Sequence, residues 1–299
     1  PIRNGRPTWS MLALIAPFLT DRVCLSFSVK QASFGRINRP YSSSQLWSTH
    51  VKPDDVLIVS EMPEDLPLFL KNQYYLLRHG QSTGNVEGVI SSSRELATSS
   101  KHGLTELGYE QGKGSATQLL DILQQENAKA GDQVIFYSSP FARAKQTAQA
   151  CLDGLAETEQ SARALEMGLD LLPDIQIEYG LMERWFGTLD DDAIETYGYV
   201  WPLDKVNVTH TSYDVESVAA VATRLRKVIL DLERKYEGFH IVLTSHADVL
   251  QIMQLYTADA QNVGNFSSYR FANGEVRAMK RTPESLPEAK PLEPPKLGT

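Results

Sequence analysis

Short apolar runs, spaced well apart, mark the middle of the chain as an alternation of strands and helices. Four runs are strand candidates, of which the third is the weakest: residues 73–77, 134–137, 175–179 and 241–244. The segments between and after them carry apolar positions at helical spacing: residues 104–126, a helix opened by Pro140, residues 215–236 and residues 248–256. Because strands that alternate with helices form βαβ units, the pattern predicts an α/β fold, a three-layer α/β/α sandwich with a mostly parallel central sheet.

The end of this region carries a hairpin signal. The pair Asn273-Gly274 is typical of two-residue turns, and it predicts a strand through residues 269–271 joined to one through Val276. We therefore place the folded domain at residues 73–282, after a linker or N-terminal extension at residues 51–72. Five prolines interrupt residues 283–299, which predicts a disordered tail, since proline continues neither a helix nor a sheet.

Residues 1–50 have a composition unlike the rest of the chain. They carry six Arg and Lys residues, a single acid at Asp21 and many serines. This composition is typical of organelle transit peptides, so we predict a disordered targeting leader for a plastid or mitochondrion. The alternative is a leader without a targeting role, which would leave the protein in the cytoplasm. The apolar run at residues 11–19 is shorter than the roughly 20 residues that span a bilayer, and we expect no membrane span.

The charge and the cysteine content exclude several classes of function. A formal net charge of -8 is unfavourable for nucleic-acid binding, which depends on Lys and Arg side chains that neutralise phosphates. Any site for an anionic small molecule must therefore be locally basic. The two cysteines, Cys24 and Cys151, lie far apart and fit neither a metal site nor a disulfide framework. Nothing in the composition indicates an oligomeric state.

Polar side chains suited to phosphoryl transfer follow each of the four predicted strands. They are Arg78 with His79, Ser139 with Arg143, Glu183, and Ser245 with His246. Because ligands bind beyond the carboxyl ends of the strands in open α/β sheets, we expect these groups to converge at one edge. Arginine forks match phosphate oxygens, a neutral histidine nitrogen is a nucleophile, and a protected carboxyl can donate a proton. No ligand spacing accompanies the histidines, so we expect no metal.

The sequence resembles the histidine phosphatase superfamily, which includes the cofactor-dependent phosphoglycerate mutases. Residues 78–85, Arg-His-Gly-Gln-Ser-Thr-Gly-Asn, resemble its Arg-His-Gly-x-Ser-x-x-Asn signature. Four further segments resemble its other motifs in family order: Leu-Thr-x-x-Gly-x-x-Gln at residues 104–111, the second arginine motif at residues 138–148, the acidic motif at residues 183–187 and the second histidine motif at residues 244–246. Five ordered matches are far more specific than one.

The resemblance implies a role for each matching residue. His79 would attack phosphorus and carry the phosphoryl group, and Glu183 would protonate the leaving oxygen. Arg78, Arg143 and His246 would surround the phosphoryl oxygens. Three further positions are expected at the substrate: Ser82, Asn85 and Ala247, the last of which replaces the glycine usual in the family. The family needs no metal or organic cofactor for this step.

The resemblance leaves three activities open. A phosphomonoester hydrolase is favoured because residues 88–103 lack the aromatic-rich segment usual in the mutases, and because the stretch from Glu183 to Glu216 is short. A phosphoglycerate mutase-type phosphotransferase and an inactive phospho-ligand-binding protein are the alternatives. The substrate would be a small phosphorylated molecule or group, either a sugar phosphate, a phosphoglycerate or a phosphoprotein.

Overall fold

A computed structural model describes residues 59–291 of the protein. The predicted leader at residues 1–50 lies outside the described residues, and so do most of the predicted linker and the last eight residues of the predicted tail. Organelle targeting therefore stays a prediction. In the described part of the chain, no helix is both long and apolar enough to cross a membrane.

Five strands form one sheet within residues 59–291. They are β1 Gln73–Arg78, β2 Gln133–Ser138, β3 Asp170–Ile177, β4 His240–Ser245 and β5 Val276–Ala278. Their order across the sheet is β3-β2-β4-β1-β5. The pairs β1–β4, β2–β4 and β2–β3 are parallel, and only β5, at one edge, runs antiparallel to its neighbour β1. The predicted mostly parallel sheet is confirmed.

Seven α-helices accompany the sheet in the same described range. They are α1 Thr83–Glu87, α2 Glu106–Gln125, α3 Ala142–Leu155, α4 Thr158–Glu166, α5 Tyr197–Val206, α6 Val218–Lys235 and α7 Ala247–Thr257. Three of the long helices, α2, α6 and α7, fall where helical spacing predicted them. The first two carry the expected apolar stripe, which turns buried residues such as Leu119 and Leu225 toward the sheet.

Side chains that alternate along the strands build two hydrophobic cores, one on each face of the sheet. Tyr75 and Leu77 of β1 point to one face, where they join a cluster that includes residues of α2 and α3. Tyr74 and Leu76 point to the other face and pack with residues of α6 and α7. The central strand β4 is buried along its whole length. Helices on both faces of one sheet confirm the three-layer α/β/α architecture.

The predicted hairpin is wrong. Asn273 and Gly274 do form a turn, but residues 269–271 are not a strand, and β5 pairs with β1 instead. Side chains donate hydrogen bonds to the backbone carbonyls that a neighbouring strand would otherwise use. Arg78 NH1 donates to the Phe271 carbonyl at 2.7 Å, and Gln254 Nε2 donates to the Tyr269 carbonyl at 2.8 Å.

Two boundaries also differ from the prediction. Strand β3 begins at Asp170, five residues before the predicted start, because Pro173 and Asp174 hide its pattern. Proline cannot donate to a ladder, and the pairing of β2 with β3 shifts register opposite this position, which an edge strand tolerates. Helix α3 begins at Ala142 with Phe141 as its N-cap, so Pro140 precedes the helix rather than occupying its first turn.

The first part of the predicted tail contacts the domain. Pro283–Ser285 form a short 3-10 helix, and Leu286 packs against the core on the α6 and α7 side. Further on, the Lys290 amide donates to the Ser268 carbonyl at 2.8 Å. These contacts hold the chain against the domain beyond residue 282.

Candidate active site

The three central strands end level with one another, and this alignment assembles the site. Arg78 of β1 is paired with Ser245 of β4, and Ser138 of β2 is paired with Thr244. The ladder continues one residue further, since the His79 amide donates to the Ser245 carbonyl at 3.0 Å. The residues that follow each strand therefore emerge side by side at the carboxyl edge of the sheet, where ligand sites form in open α/β folds.

His79 has a defined hydrogen-bonding state. Its Nδ1 lies 2.7 Å from the Gly80 carbonyl, which can only accept, so Nδ1 carries the hydrogen and Nε2 keeps its lone pair. Burial, together with the charges of Arg143 and Arg78, holds the pKa of His79 well below its usual range. The imidazole is therefore neutral near pH 7, with Nε2 available as a nucleophile.

Arg143 lies between the two histidines of the site. Its Nε donates to His79 Nε2 at 3.3 Å and to His246 Nδ1 at 3.2 Å. Because His246 Nδ1 accepts, its Nε2 carries the hydrogen and donates to Ser139 Oγ at 2.8 Å. The other end of the guanidinium is held by Ser91, whose carbonyl accepts from NH2 at 2.8 Å. The Arg143 fork is thus fixed from both sides before any ligand is bound.

Glu183 is the carboxyl next to this arginine. Its Oε2 lies 3.8 Å from Arg143 NH2 and 3.6 Å from His246 Nδ1, and its Oε1 accepts from the Arg184 amide at 2.9 Å. Burial raises the pKa of Glu183, although Arg143 and the Arg184 amide act in the opposite direction. A carboxyl with a raised pKa retains its proton to higher pH than an exposed one, which suits a proton donor.

The structure brings most of the predicted site residues to one cleft with a cavity volume of about 110 Å³. The predicted residues that line it are Arg78, His79, Ser82, Asn85, Arg143, Glu183 and Ala247. His246 is not among the lining residues: its side chain is fully buried and reaches the site through Arg143 and Glu183. Ser82 caps α1, and the Asn85 side chain accepts from the Ser82 amide, so this pair forms one rigid wall.

The loop that carries His79 is locked against two helices. The Gly80 amide donates to Thr147 Oγ1 on α3, and the Gln81 amide donates to Gln111 Oε1 on α2. Gly108, in the first turn of α2, lets this loop approach closely, because a Cβ built there would lie 2.0 Å from the Gln81 carbonyl oxygen. The motif residues at positions 104–111 therefore position the histidine loop.

Replacing Gly108 with alanine tests this close approach. The added methyl must displace the loop or the helix, so we expect a loss of about 1–3 kcal/mol in the free energy of unfolding, together with reduced activity. The matched control is Gly114→Ala on the same helix, where a Cβ meets nothing within 4 Å. There the higher helix propensity of alanine should raise stability by up to about 1 kcal/mol. Urea unfolding of both variants measures the contrast, and equal stabilities would contradict the packing argument.

Several residues of the cleft carry no signal in the sequence. Val89 and Ser91 lie in the segment at residues 88–103. The Ser91 hydroxyl accepts from Arg143 NH1 at 3.2 Å and lies 2.7 Å from His102 Nδ1. His102 Nε2 in turn lies 3.3 Å from Glu87. The remaining lining residues that the sequence did not assign to the site are Gly84, Ile194, Tyr197, Trp201, Asp248, Gln251, Arg270 and Phe271. Three of these residues had a usable signal. Gly84 lies within the signature segment at residues 78–85, Asp248 directly follows Ala247, and Gln251 lies one helical turn further along α7.

The histidines and cysteine outside the site are structural. His240 lies between Tyr75 and Asp132, and His210 contacts Asp204. Cys151 is a buried free thiol. Within the described residues, no group of three or more His, Cys, Asp or Glu side chains could hold a metal ion. His50 and Cys24 lie outside the described residues.

The chain belongs to the histidine phosphatase superfamily (branch 1), whose family profile matches residues 74–287. This range contains all the motifs and every side chain described above for the cleft. No curated protein matches the chain at a significant level.

Solved structures of similar fold are distant in sequence. An open reading frame product from Mycobacterium tuberculosis is 17% identical with a TM-score of 0.50, and the match covers 76% of this chain and 99% of that one. Mycobacterial glucosyl-3-phosphoglycerate phosphatase is 19% identical with a TM-score of 0.49, over 68% and 90% of the two chains. Entamoeba histolytica phosphoserine phosphatase is 20% identical with a TM-score of 0.49, over 69% and 88%.

Proposed function

We propose that the protein is a phosphomonoester hydrolase that works through a phosphohistidine on His79. The observation that carries the proposal is the state of His79: a neutral imidazole with its Nε2 lone pair next to Arg143, in a cleft that also holds Arg78 and Glu183. Guanidinium groups stabilise charge on the phosphoryl oxygens, and such positioning supplies most of the catalysis in phosphoryl transfer.

In the first step, His79 Nε2 attacks phosphorus and the bond from phosphorus to the ester oxygen breaks. Glu183 gives its proton to the leaving oxygen, so a neutral alcohol departs and the carboxylate remains. Arg78 and Arg143 balance the charge on the phosphoryl oxygens. Asn85 and Ser82 form the wall of the cleft next to the transferred group, and Ala247 borders it at the start of α7.

In the second step, water attacks phosphorus and the bond to His79 Nε2 breaks. The Glu183 carboxylate takes a proton from the water as it attacks, which returns the carboxyl to its initial state. His246 does not need to exchange a proton in either step. Its fully buried ring donates to Ser139 Oγ and accepts from Arg143 Nε, and these two hydrogen bonds hold the arginine in place.

The phosphatase and the mutase share the first step, so the products distinguish them. The purified protein is incubated with 3-phosphoglycerate and with a panel of sugar phosphates, aryl phosphate and phosphopeptides. Free phosphate in amounts equal to the released alcohol is the expected result. Formation of an isomerised phosphoglycerate without phosphate release would identify the protein as a mutase instead of a hydrolase. Failure to form either product from any substrate would favour a phospho-ligand-binding protein.

A further inference from the structure

The wall of the cleft formed by α7 presents hydrogen-bond acceptors that the phosphoryl chemistry does not use. Asp248 and Gln251 both line the cleft, one helical turn apart. Trp201 Nε1 donates to Asp248 Oδ2 at 3.2 Å, and Arg184 NH1 lies 3.6 Å from the same oxygen. Arg184 is itself matched by a two-point bond to Asp204, at 2.7 and 2.8 Å.

Gln251 is the second acceptor, and its side-chain oxygen has no hydrogen-bond donor among the described residues. The side chain is 3% exposed. A buried amide oxygen without a donor destabilises a protein, so such groups are rare unless a ligand satisfies them. The position of this oxygen in the wall of a ligand cleft indicates that a bound molecule supplies the donor.

An arginine and two aromatic rings also line the cleft. Arg270 lines the cleft with its guanidinium carbon 5.5 Å from the centre of the Trp201 ring. The ring of Trp201 in turn stacks on Tyr197, with centroids 4.8 Å apart. A molecule in this part of the cleft therefore meets the acceptors of α7, the Arg270 guanidinium and the aromatic rings within one lining. A hydroxyl group suits such a space, because it both donates and accepts.

The charges of the cleft are unfavourable for a cationic group in this place. Three arginines, Arg78, Arg143 and Arg270, line the cleft against two carboxyls, Glu183 and Asp248. Glu183 is uncharged when it is ready to donate its proton. Burial raises the pKa of Asp248 to about 7, so this second carboxyl is only partly ionised at neutral pH. The Arg270 guanidinium would repel an ammonium group placed beside it, whereas neutral hydroxyl groups would not be repelled.

We propose that Asp248 and Gln251, with Arg270 and Trp201, form a subsite for the leaving alcohol that selects a polyol phosphate, an ester whose alcohol carries further hydroxyl groups. This proposal rests on the phosphatase function above and narrows its substrate class. Gln251 is a specificity-determining residue, because a hydroxyl group of the substrate donates to its Oε1. An alkyl group in the same place would leave that oxygen without a partner.

Three short-chain esters test the subsite: glycerol 3-phosphate with two free hydroxyl groups, propyl phosphate with none and 2-aminoethyl phosphate with an ammonium group. We expect kcat/KM for glycerol 3-phosphate to exceed that for the other two by about tenfold, the effect of one or two hydrogen bonds. In Gln251→Met the preference for glycerol over propyl phosphate should fall at least about threefold. The control is Gln254→Met on the same helix, whose side chain bonds to Tyr269 and Arg277 outside the cleft and which should keep the wild-type preference.

The outcomes separate the two proposals. Release of phosphate from all three esters at similar kcat/KM, or an unchanged preference in Gln251→Met, would overturn the subsite and leave the phosphatase intact. A preference for 2-aminoethyl phosphate would overturn the polyol assignment in favour of an ammonium group. Absence of phosphate release from every ester, an aryl phosphate included, would overturn the phosphatase function and the subsite with it.

Discussion

Replacing His79 with alanine should abolish phosphate release and covalent labelling together. Among the described residues that line the cleft, His79 is the one whose side chain has a nitrogen lone pair, since His246 does not line it. Removal of a catalytic nucleophile typically costs about three to six orders of magnitude in kcat. The fold should persist, since the loop stays fixed by the Gly80 and Gln81 amides on Thr147 and Gln111.

The measurement is brief incubation with a labelled phosphodonor, followed by acid and base treatment of the trapped protein. A phosphohistidine is lost in acid and survives in base, so wild-type label with this behaviour is expected. The control is His240→Ala, which removes another buried histidine at the opposite end of the parallel strands and should keep the label. Label that persists in His79→Ala would place the nucleophile elsewhere, and unlabelled wild type would indicate direct attack by water or no catalysis.

Replacing Glu183 with glutamine should slow the hydrolysis of alkyl esters by about 10²- to 10⁴-fold. An alkoxide is a poor leaving group and needs the proton that Glu183 supplies, whereas a nitrophenolate leaves without one. Formation of the phosphoenzyme from an aryl phosphate should therefore be much less affected than its formation from an alkyl phosphate. Stopped-flow release of nitrophenol, compared with phosphate release from an alkyl ester, measures the difference.

The pH dependence provides an independent readout of the same group. Glu183 must be protonated to donate, and its pKa is raised, so kcat/KM falls as pH rises through that raised value. His79 must be neutral, and its pKa is lowered, so kcat/KM falls as pH drops through a value below the usual histidine range. Glu183→Gln should remove the alkaline limb of the profile and retain the acid limb.

Two other carboxyls make this test specific. Burial also raises the pKa of Glu178, but its Oε1 accepts from the Gly180 amide and it does not line the cleft. Glu178→Gln should therefore keep both limbs. Asp248 does line the cleft, and its pKa is raised to about 7. If Asp248→Asn removes the alkaline limb while Glu183→Gln retains it, Asp248 is the proton donor and the assignment of Glu183 is wrong.

Two of the wrong sequence predictions concern the edge strands β5 and β3 and the residues next to them. Residues 269–271 have the composition of a strand, yet their carbonyls bind the side chains of Arg78, Gln254 and Arg277, of which Arg78 lies 193 residues from Phe271 in the sequence. The start of β3 was missed because Pro173 breaks the apolar pattern at an edge strand, where a lost ladder bond matters least. Local pattern cannot report either event, since it shows neither which side chains bind these carbonyls nor which strand lies at the edge of the sheet.

The central strands and long helices were predictable because burial imposes a period of two on strands and 3.6 on helices, which the chain itself displays. For the same reason the sequence determined that Arg78, His79, Arg143, Glu183 and His246 follow strands or lie close to their ends. Only the tertiary structure decided that His79 Nε2 keeps its lone pair, that His246 lies behind Arg143 and that Gln251 has a buried oxygen without a partner. Hydrogen-bonding state, burial and charge balance are properties of the assembled cleft, because each depends on atoms from several elements at distances of a few ångströms.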